Sequence, residues 1–392
     1  MRTFDVRLLY LYKFTGQCLP IYAFYTILFL ERGMSVTDIA VLLALWSVFA
    51  IVFEVPSGIL ADRWNRRNML VIAAVLQGLC FMIWFFAHTW PAFAAGFVFW
   101  AAAGAFTSGT EEGLIYDNLK SDKREGDFIQ IYGKARFCAN TGTIAGIVSA
   151  GLIAGFVSVE AMALISAAIC FIKIGLVWQL REKNYYSERL DKASMGFLET
   201  LKEAVTFIKG NNGALIVILF LVLFVSLGSY LDEFDALIIN DFQLDHIWVS
   251  VILTVRFVFI ALGDLVAPAV QKKITSPGQL FCLDGLACVL LLIFAVLWHQ
   301  YAFIVYGPAL LVMAISEILL VNILQHKIKE EGRATVISFY GAGQNIGMIC
   351  FSLVYAFLTG AFTLQQVYLV ISLYGIAGGL SFFLFFKIKG SL

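Results

Sequence analysis

Charged residues in this chain are confined to short islands, and the stretches between them are long and apolar. Residues 68–110 contain no Asp, Glu, Lys or Arg over 43 positions, and residues 334–386 contain none over 53. Each run can hold two helices of the roughly 20 residues that cross a hydrocarbon core. Each also contains a break: His88-Thr89-Trp90-Pro91 in the first and Gly360 to Gln366 in the second. Apolar and polar residues do not alternate as they would in the strands of a membrane barrel, so the runs predict helices. Over the whole chain the pattern predicts twelve spans, near 7–30, 36–58, 69–87, 92–117, 128–155, 161–180, 213–239, 247–268, 279–298, 302–325, 334–359 and 366–386. The first is read as one long span interrupted by Lys13 and Gln17, without the small-residue cleavage site of a secretory signal.

Composition agrees with an all-α membrane protein. Hydrophobic residues are 61% of 392 and charged residues 14%, against about 25% charged in a soluble domain. The formal net charge is zero, which gives no footprint for nucleic acid. Lys and Arg fall on one side of the predicted topology. They include Arg63, Arg66 and Arg67, Lys120, Lys123 and Arg124, Arg181 through Lys209, Lys272 and Lys273, and Lys327, Lys329 and Arg333, with Arg2, Arg7, Lys387 and Lys389 near the ends; the other side offers only Arg32. This bias predicts a multi-pass protein of the cytoplasmic (inner) membrane with both termini in the cytoplasm.

Enzyme chemistry is not indicated. The four histidines show no His-Glu-x-x-His pattern and no glycine loop carries an adjacent Lys-Ser/Thr, so metal-assisted hydrolysis and ATP-driven transport lack their motifs. The seven cysteines lie in apolar spans without zinc-type spacing. No catalytic residue, metal or cofactor is expected.

The two halves of the chain resemble each other. Glu112 and Glu317, Asp117 and Asn322, Gly142 and Gly347, and Gly58 and Gly263 each lie 205 residues apart, and Gly126 precedes the fifth span as Gly332 precedes the eleventh. The reading is a six-helix half over residues 1–180, a central loop over 181–212 and a second six-helix half over 213–392. Such inverted or parallel repeats are a transporter plan, with the substrate site between the halves near the bilayer midplane. In the loop, Phe197, Leu198, Leu201, Ala204, Val205 and Ile208 recur at helical spacing, which predicts an amphipathic helix lying on the inner leaflet.

Between the second and third spans runs Gly58-Ile-Leu-Ala-Asp62-Arg63-Trp-Asn65-Arg66-Arg67. This string resembles the signature loop of the major facilitator superfamily, Gly-x-x-x-Asp-Arg/Lys-x-Gly-Arg-Arg/Lys. Asn65 stands where glycine is usual, and Asn tolerates a left-handed backbone, so a turn led by Gly58 is expected to survive there. With twelve spans in two halves, the resemblance covers the whole chain and implies that family's fold. It also implies a conformational latch formed by Gly58, Asp62, Arg63, Arg66, Arg67 and Asp117. Asp62 would face the start of the eleventh helix, and Arg66 would pair with Asp117 at the end of the fourth. A glycine-proline motif of proton-coupled exporters is only partly matched, by Gly142, Gly146 and Gly151 with no proline. The family usually works as a monomer.

Ionisable residues inside the spans are costly and are functional candidates by default. Asp232, Glu233 and Asp235 in the seventh span, with Glu112 in the fourth, are the proton-coupling candidates. The seventh-span acids fit two readings, buried or solvated at the outer surface. Glu111 and Glu112 cannot face the same way, and Lys134 and Arg136 are the expected counter-charges. Substrate-binding candidates are Lys13, Gln17, Tyr22, Tyr230, Arg256, Glu317 and Asn345; Lys13 and Gln17 share one helix face, and Arg256 is expected to pair with a seventh-span acid or to contact an anionic group. The many aromatics, among them Tyr25, Trp46, Trp100, Phe224 and Tyr340, could line an apolar pocket. The expected function is proton-coupled export of a small amphipathic molecule. The rival readings are an uptake permease for an organic anion or metal-chelate, and a non-transporting sensor or lipid-handling protein of the same fold. The expected partners are a small-molecule substrate, protons and the lipid bilayer.

Overall fold

A computed structural model describes residues 4–182, 218–274, 277–327 and 333–389. The fold is all-helical, with the twelve spans in the expected order. Among the described residues, nine helical segments are long and apolar enough to cross a membrane. The chain divides into two compact units, Met1–Gly196 and Phe197–Leu392. The amphipathic segment expected over 197–208 lies outside the described residues.

The first unit holds six spans. The second is Val36–Arg63, the third Arg66–Phe86, the fifth Phe128–Ile153 and the sixth Val159–Gln179. The first is not one helix, contrary to expectation. It is Val6–Gln17, a 3-10 turn over Pro20–Ala23, and a short helix Tyr25–Glu31. Pro20 has no N–H to continue a helix, and the Cys18 N–H bends back to the carbonyls of Phe14 and Thr15 at 3.1 and 3.2 Å. The fourth span is also interrupted: Trp90–Thr107 and Thr110–Ser121 meet at Gly109, whose φ of 67° suits glycine.

Gly142 and Gly146 of the fifth span lie against the break in the first. A Cβ at Gly142 would overlap the Phe14 carbonyl oxygen and stand 3.0 Å from its carbon; one at Gly146 would stand 2.7 Å from the Leu19 nitrogen. The aromatics of this unit mostly pack on each other instead of lining a pocket. Tyr25, Trp84, Phe97 and Trp100 form stacked and edge-on contacts with centroids 5.1–6.1 Å apart.

In the second unit the seventh span is broken as well. A π-helical turn, Leu221–Val225, precedes short helices Leu227–Leu231 and Asp235–Asp241, with a 3-10 turn Asp232–Phe234 between them. The remaining spans are His246–Gln271, Pro277–Leu297, Phe303–Lys327, Arg333–Thr359 and Leu364–Lys389. Gly347 of the eleventh span makes room for the seventh, as Gly142 does for the first: a Cβ there would overlap the Tyr230 hydroxyl and stand 3.0 Å from Val222. Landmarks 205 residues apart thus meet the broken span of their own unit. Gly58 and Gly263 do not behave alike. A Cβ at Gly263 would come within 2.7 Å of the Leu311 carbonyl, whereas one at Gly58 would meet nothing within 4 Å.

Candidate functional site

The basic turn of the first unit forms at a different place from the one expected. The second span runs as helix through Gly58 to Arg63, so Gly58 leads no turn. The chain turns at Trp64 and Asn65. Asn65 has φ −70° and ψ 119°, an extended backbone and not a left-handed one, and its side chain accepts the Asn68 N–H at 3.2 Å. It caps the third span, a role for which Asn is among the best residues. The next two N–H groups, of Arg66 and Arg67, donate to the Glu182 carboxylate at 2.6 and 3.2 Å. A carboxylate at a helix N-terminus is favourable by about 0.3–1 kcal/mol.

The Arg66 guanidinium lies 3.1 Å from Asp117, in space left by Gly113, where a Cβ would overlap Arg66 Nη1 and come within 2.7 Å of Nη2. Arg67 stacks over Trp178 with 5.2 Å to the ring centroid. The side chains of Asp62 and Arg63, and those of residues 333–339 at the start of the eleventh span, lie outside the described part of the structure. Nearby, Asp122 accepts the Phe4 N–H and the Arg181 guanidinium, both at 2.8 Å. Burial works to raise the Asp122 carboxyl, but these donors outweigh it and hold it below the ordinary carboxylate range.

Glu182 gives a direct check on this construction. Glu182→Ala leaves two helix N–H groups without their acceptor and should cost about 0.5–2 kcal/mol. Glu182→Gln, which keeps one acceptor oxygen, should cost less. Thermal unfolding of the purified variants reads the order.

A second cluster is buried in the same unit. Glu111 is 8% exposed. It accepts the Tyr12 hydroxyl at 2.6 Å and pairs with Lys13. Lys173, 7% exposed, lies over the Tyr12 ring at 5.1 Å. The sequence left open which of the adjacent pair turns inward; it is Glu111 that carries the buried ion pair. The counter-charge comes from the first span; Lys134 and Arg136 are exposed on the fifth. Glu112 is half-buried and accepts the Tyr132 hydroxyl at 2.6 Å. Lys13 does not act with Gln17, which is exposed. Tyr22 sits in the 3-10 turn, edge-on to Trp100 at 6.4 Å.

The seventh-span acids form the third cluster. Asp235 is 1% exposed and Arg256 4%, which decides between the two readings of Asp235 in favour of burial. Arg256 donates to Asp232 through Nη1, meets Asp235 Oδ2 with Nε at 2.6 Å, and donates to the Gly228 carbonyl at 3.1 Å. Asp235 also accepts the Tyr306 hydroxyl. Glu233 is half-buried in the adjoining turn. Buried charge is tolerated only when paired and hydrogen-bonded, and one guanidinium here serves two carboxylates. Tyr306 was not foreseen; a tyrosine inside an apolar run, two residues before Pro308, was its only signal.

Two cavities meet at Arg256. One of about 170 Å³ is lined by Gly228, Ser229, Asp232, Met313 and Glu317. The other, about 630 Å³, is lined by Trp248, Phe259, Tyr301, Ile304 and Tyr306. Arg256 and Leu310 line both. Glu317 accepts the Tyr340 hydroxyl at 3.1 Å, and Tyr340 accepts from Gln344 at 2.9 Å. Each unit therefore has a tyrosine from its second-to-last span on its repeat-related glutamate. Tyr230 and Asn345 line neither cavity. Tyr230 is buried and its hydroxyl donates to the carbonyls of Val222 and Gln344, at 3.2 and 3.3 Å, which ties the broken span to the eleventh. Asn345 is half-buried.

The sequence profile of the Major Facilitator Superfamily matches residues 12–330. The chain belongs to the Major Facilitator Superfamily. It is accordingly a multi-pass membrane protein, and the family is one of secondary transporters of small molecules, not of enzymes. The uncharacterized MFS-type transporter YfkF of Bacillus subtilis (strain 168) is 34% identical over 98 residues, 25% of this chain and 23% of that relative. A mutant of the nucleoside transporter NupG superposes with a TM-score of 0.79 at 16% identity, over 96% of this chain and 98% of that one. A D-xylose-proton symporter does so with 0.68 at 12% identity, over 95% and 94%. At such identities the likeness is one of fold.

Proposed function

We propose that this MFS protein is a proton-coupled exporter of small amphipathic organic molecules in the cytoplasmic membrane, with both termini inside. One observation carries the coupling. Asp232 and Asp235 share the Arg256 guanidinium beside a cavity, in a helix already broken at that level. With all three groups ionised the cluster bears one net negative charge beside the buried Asp235 and Arg256, so it has a place for one proton. Loading that proton changes which partners Arg256 holds, and a group that binds one state better shifts the balance between states. Glu233 and Glu112 remain further candidates for proton uptake, and Glu317 for contact with substrate. The two compact units are read as halves 1–180 and 213–392 of one repeat, joined by 181–212. The Arg66–Asp117 pair, with Gly58, Asp62, Arg63 and Arg67, is read as a latch on their movement.

Export is supported by the apolar, aromatic lining of the larger cavity. Uptake of an organic anion is the second reading, favoured by Arg256 at the junction of the cavities. Energised inside-out vesicles distinguish them. Accumulation of a fluorescent amphiphile that stops when an ionophore collapses the proton gradient supports export. In Asp235→Asn, checked for folding by size-exclusion chromatography, that flux should fall at least about tenfold, a barrier change of about 1.4 kcal/mol. Accumulation in right-side-out vesicles instead would establish uptake. Absence of proton-driven flux in both orientations would favour the sensor or lipid-handling reading.

A further inference from the structure

We infer that the groove between the eighth and tenth spans binds an amphipathic organic anion, its carboxylate taking the place of Asp232 on Arg256 while Asp232 takes up a proton. The inference rests on the proton coupling proposed above; because proton and anion load together, it deepens the second reading, uptake of an organic anion, and adds the place where the two meet. The two cavities lie in line along the eighth span, His246–Gln271, and the tenth, Phe303–Lys327, with Arg256 and Leu310 common to both.

The larger cavity, at about 630 Å³, is within the range of about 300–1,000 Å³ usual for small-molecule sites. Its wall is Trp248, Val255, Phe259, Phe303, Ile304 and Tyr306, and Arg256 is the one charged residue among the described residues that line it. An apolar wall with a single cation at its end fits a molecule with an aromatic or aliphatic body and one anionic group. A guanidinium offers such a group paired N–H donors. A cationic amphiphile fits worse. The acids Asp232 and Glu317 open on the smaller cavity of about 170 Å³, and its cationic head would have to pass Arg256 to reach them.

The coupling follows from which acid can leave. Asp235 is held by Tyr306 as well as Arg256 and is 1% exposed, while the Asp232 side chain is 22% exposed and lines the smaller cavity. An incoming carboxylate therefore competes with Asp232, not Asp235. If Asp232 accepts a proton on its carboxylate as it gives up Arg256, the guanidinium exchanges one anionic partner for another and the cluster's net charge is unchanged. The stoichiometry is one proton per anion. Asp232 adjoins Glu233 in sequence and is faced by Asp235 of its own span, by Arg256 of the eighth, and by Tyr306 and Glu317 of the tenth. Glu317 in turn has Asp264, Asp284 and Tyr340 around it. None of these residues besides Arg256 is a cation.

The experiment uses the full chain in lipid nanodiscs with three probes of one shape: 1-naphthaleneacetate, its neutral amide, and 1-naphthylmethylamine. Calorimetry between pH 6 and 8 should show the acid binding best, tightening with falling pH by up to about tenfold per unit, as one linked proton requires. Asp232→Asn, which cannot ionise, should lose the pH slope and bind the acid at pH 8 at least as tightly as the unmodified chain does at pH 6. Trp248→Ala should loosen the acid several-fold without altering the pH slope, and Arg256→Lys should lose the preference for acid over amide. Equal binding of the amide, as for a mere apolar seat for lipid, or binding of the acid with no pH slope would overturn the proposal. Proton-driven flux that survives such a result leaves the transport reading standing. Loss of flux with acid-selective binding intact would defeat that reading and not this one.

Discussion

Replacing Arg256 with glutamine is expected to destabilise the protein by about 3–5 kcal/mol, the loss typical of a buried ion pair deprived of one partner. The reason lies with Asp235. Its carboxylate is 1% exposed, its neighbours are helices of the same unit, and the Tyr306 hydroxyl is a neutral donor that cannot replace a cation. Asp232 suffers less because the smaller cavity reaches it. The double variant Arg256→Gln with Asp235→Asn should recover most of the loss, since neither remaining group is charged and the amide can still accept from Tyr306. Thermal unfolding of the purified single and double variants tests this. If the single variant melts within a degree or two of the unmodified chain, the cluster does not hold buried charge as described.

Gly142→Ala should be nearly as disruptive for a different reason. Its new methyl would overlap the Phe14 carbonyl oxygen and approach the Phe14 carbon and Cα to 3.0 and 3.1 Å. All three are backbone atoms, so no side chain can rotate aside. The first and fifth spans would have to separate, and overpacking of this kind costs about 1–3 kcal/mol for one methyl. Gly142→Val should cost more. Gly133→Ala on the same helix is the control: nothing lies within 4 Å of a Cβ there, so it should be neutral or stabilising by about 0.5–1 kcal/mol. Equal losses at 133 and 142 would mean that glycine content, and not the close approach, is what matters.

The spans were legible because a membrane helix announces itself locally, by length and by the absence of charge. The breaks were less so. Pro20 was visible in the first span, but an apolar run on both sides of it reads as continuous. In the seventh, Leu221–Val225 is apolar throughout and nothing in its residue types marks a π-helical turn. Partners distant in sequence were the least accessible. Glu182 reaches the third span from 116 residues away, and whether Glu111 or Glu112 turns inward depends on a rotation of about 100° per residue that uncertain helix ends blur. Asn65 was singled out correctly and explained wrongly, as a tolerant backbone when it acts as a cap. Arg256 was readable because a lone arginine deep in an apolar span must find an acid, and the seventh span offered the nearest ones.

The breaks in the first and seventh spans also set what bending costs. An unbroken helix such as the third span behaves as a rod, and flexing it means pulling several backbone hydrogen bonds apart together. The first span is a jointed rod. At its joint the Cys18 N–H is shared between two carbonyls and Pro20 has no N–H to lose. Swinging one segment against the other there breaks one or two bonds, each worth a net of about 0.5–1.5 kcal/mol. Backbone bonding therefore resists the swing little, and side-chain packing resists it most, since Ile21 and Phe24 at the joint are fully buried. A tilt of either segment is limited by its seat against the fifth and sixth spans, and not by the stiffness of a continuous rod.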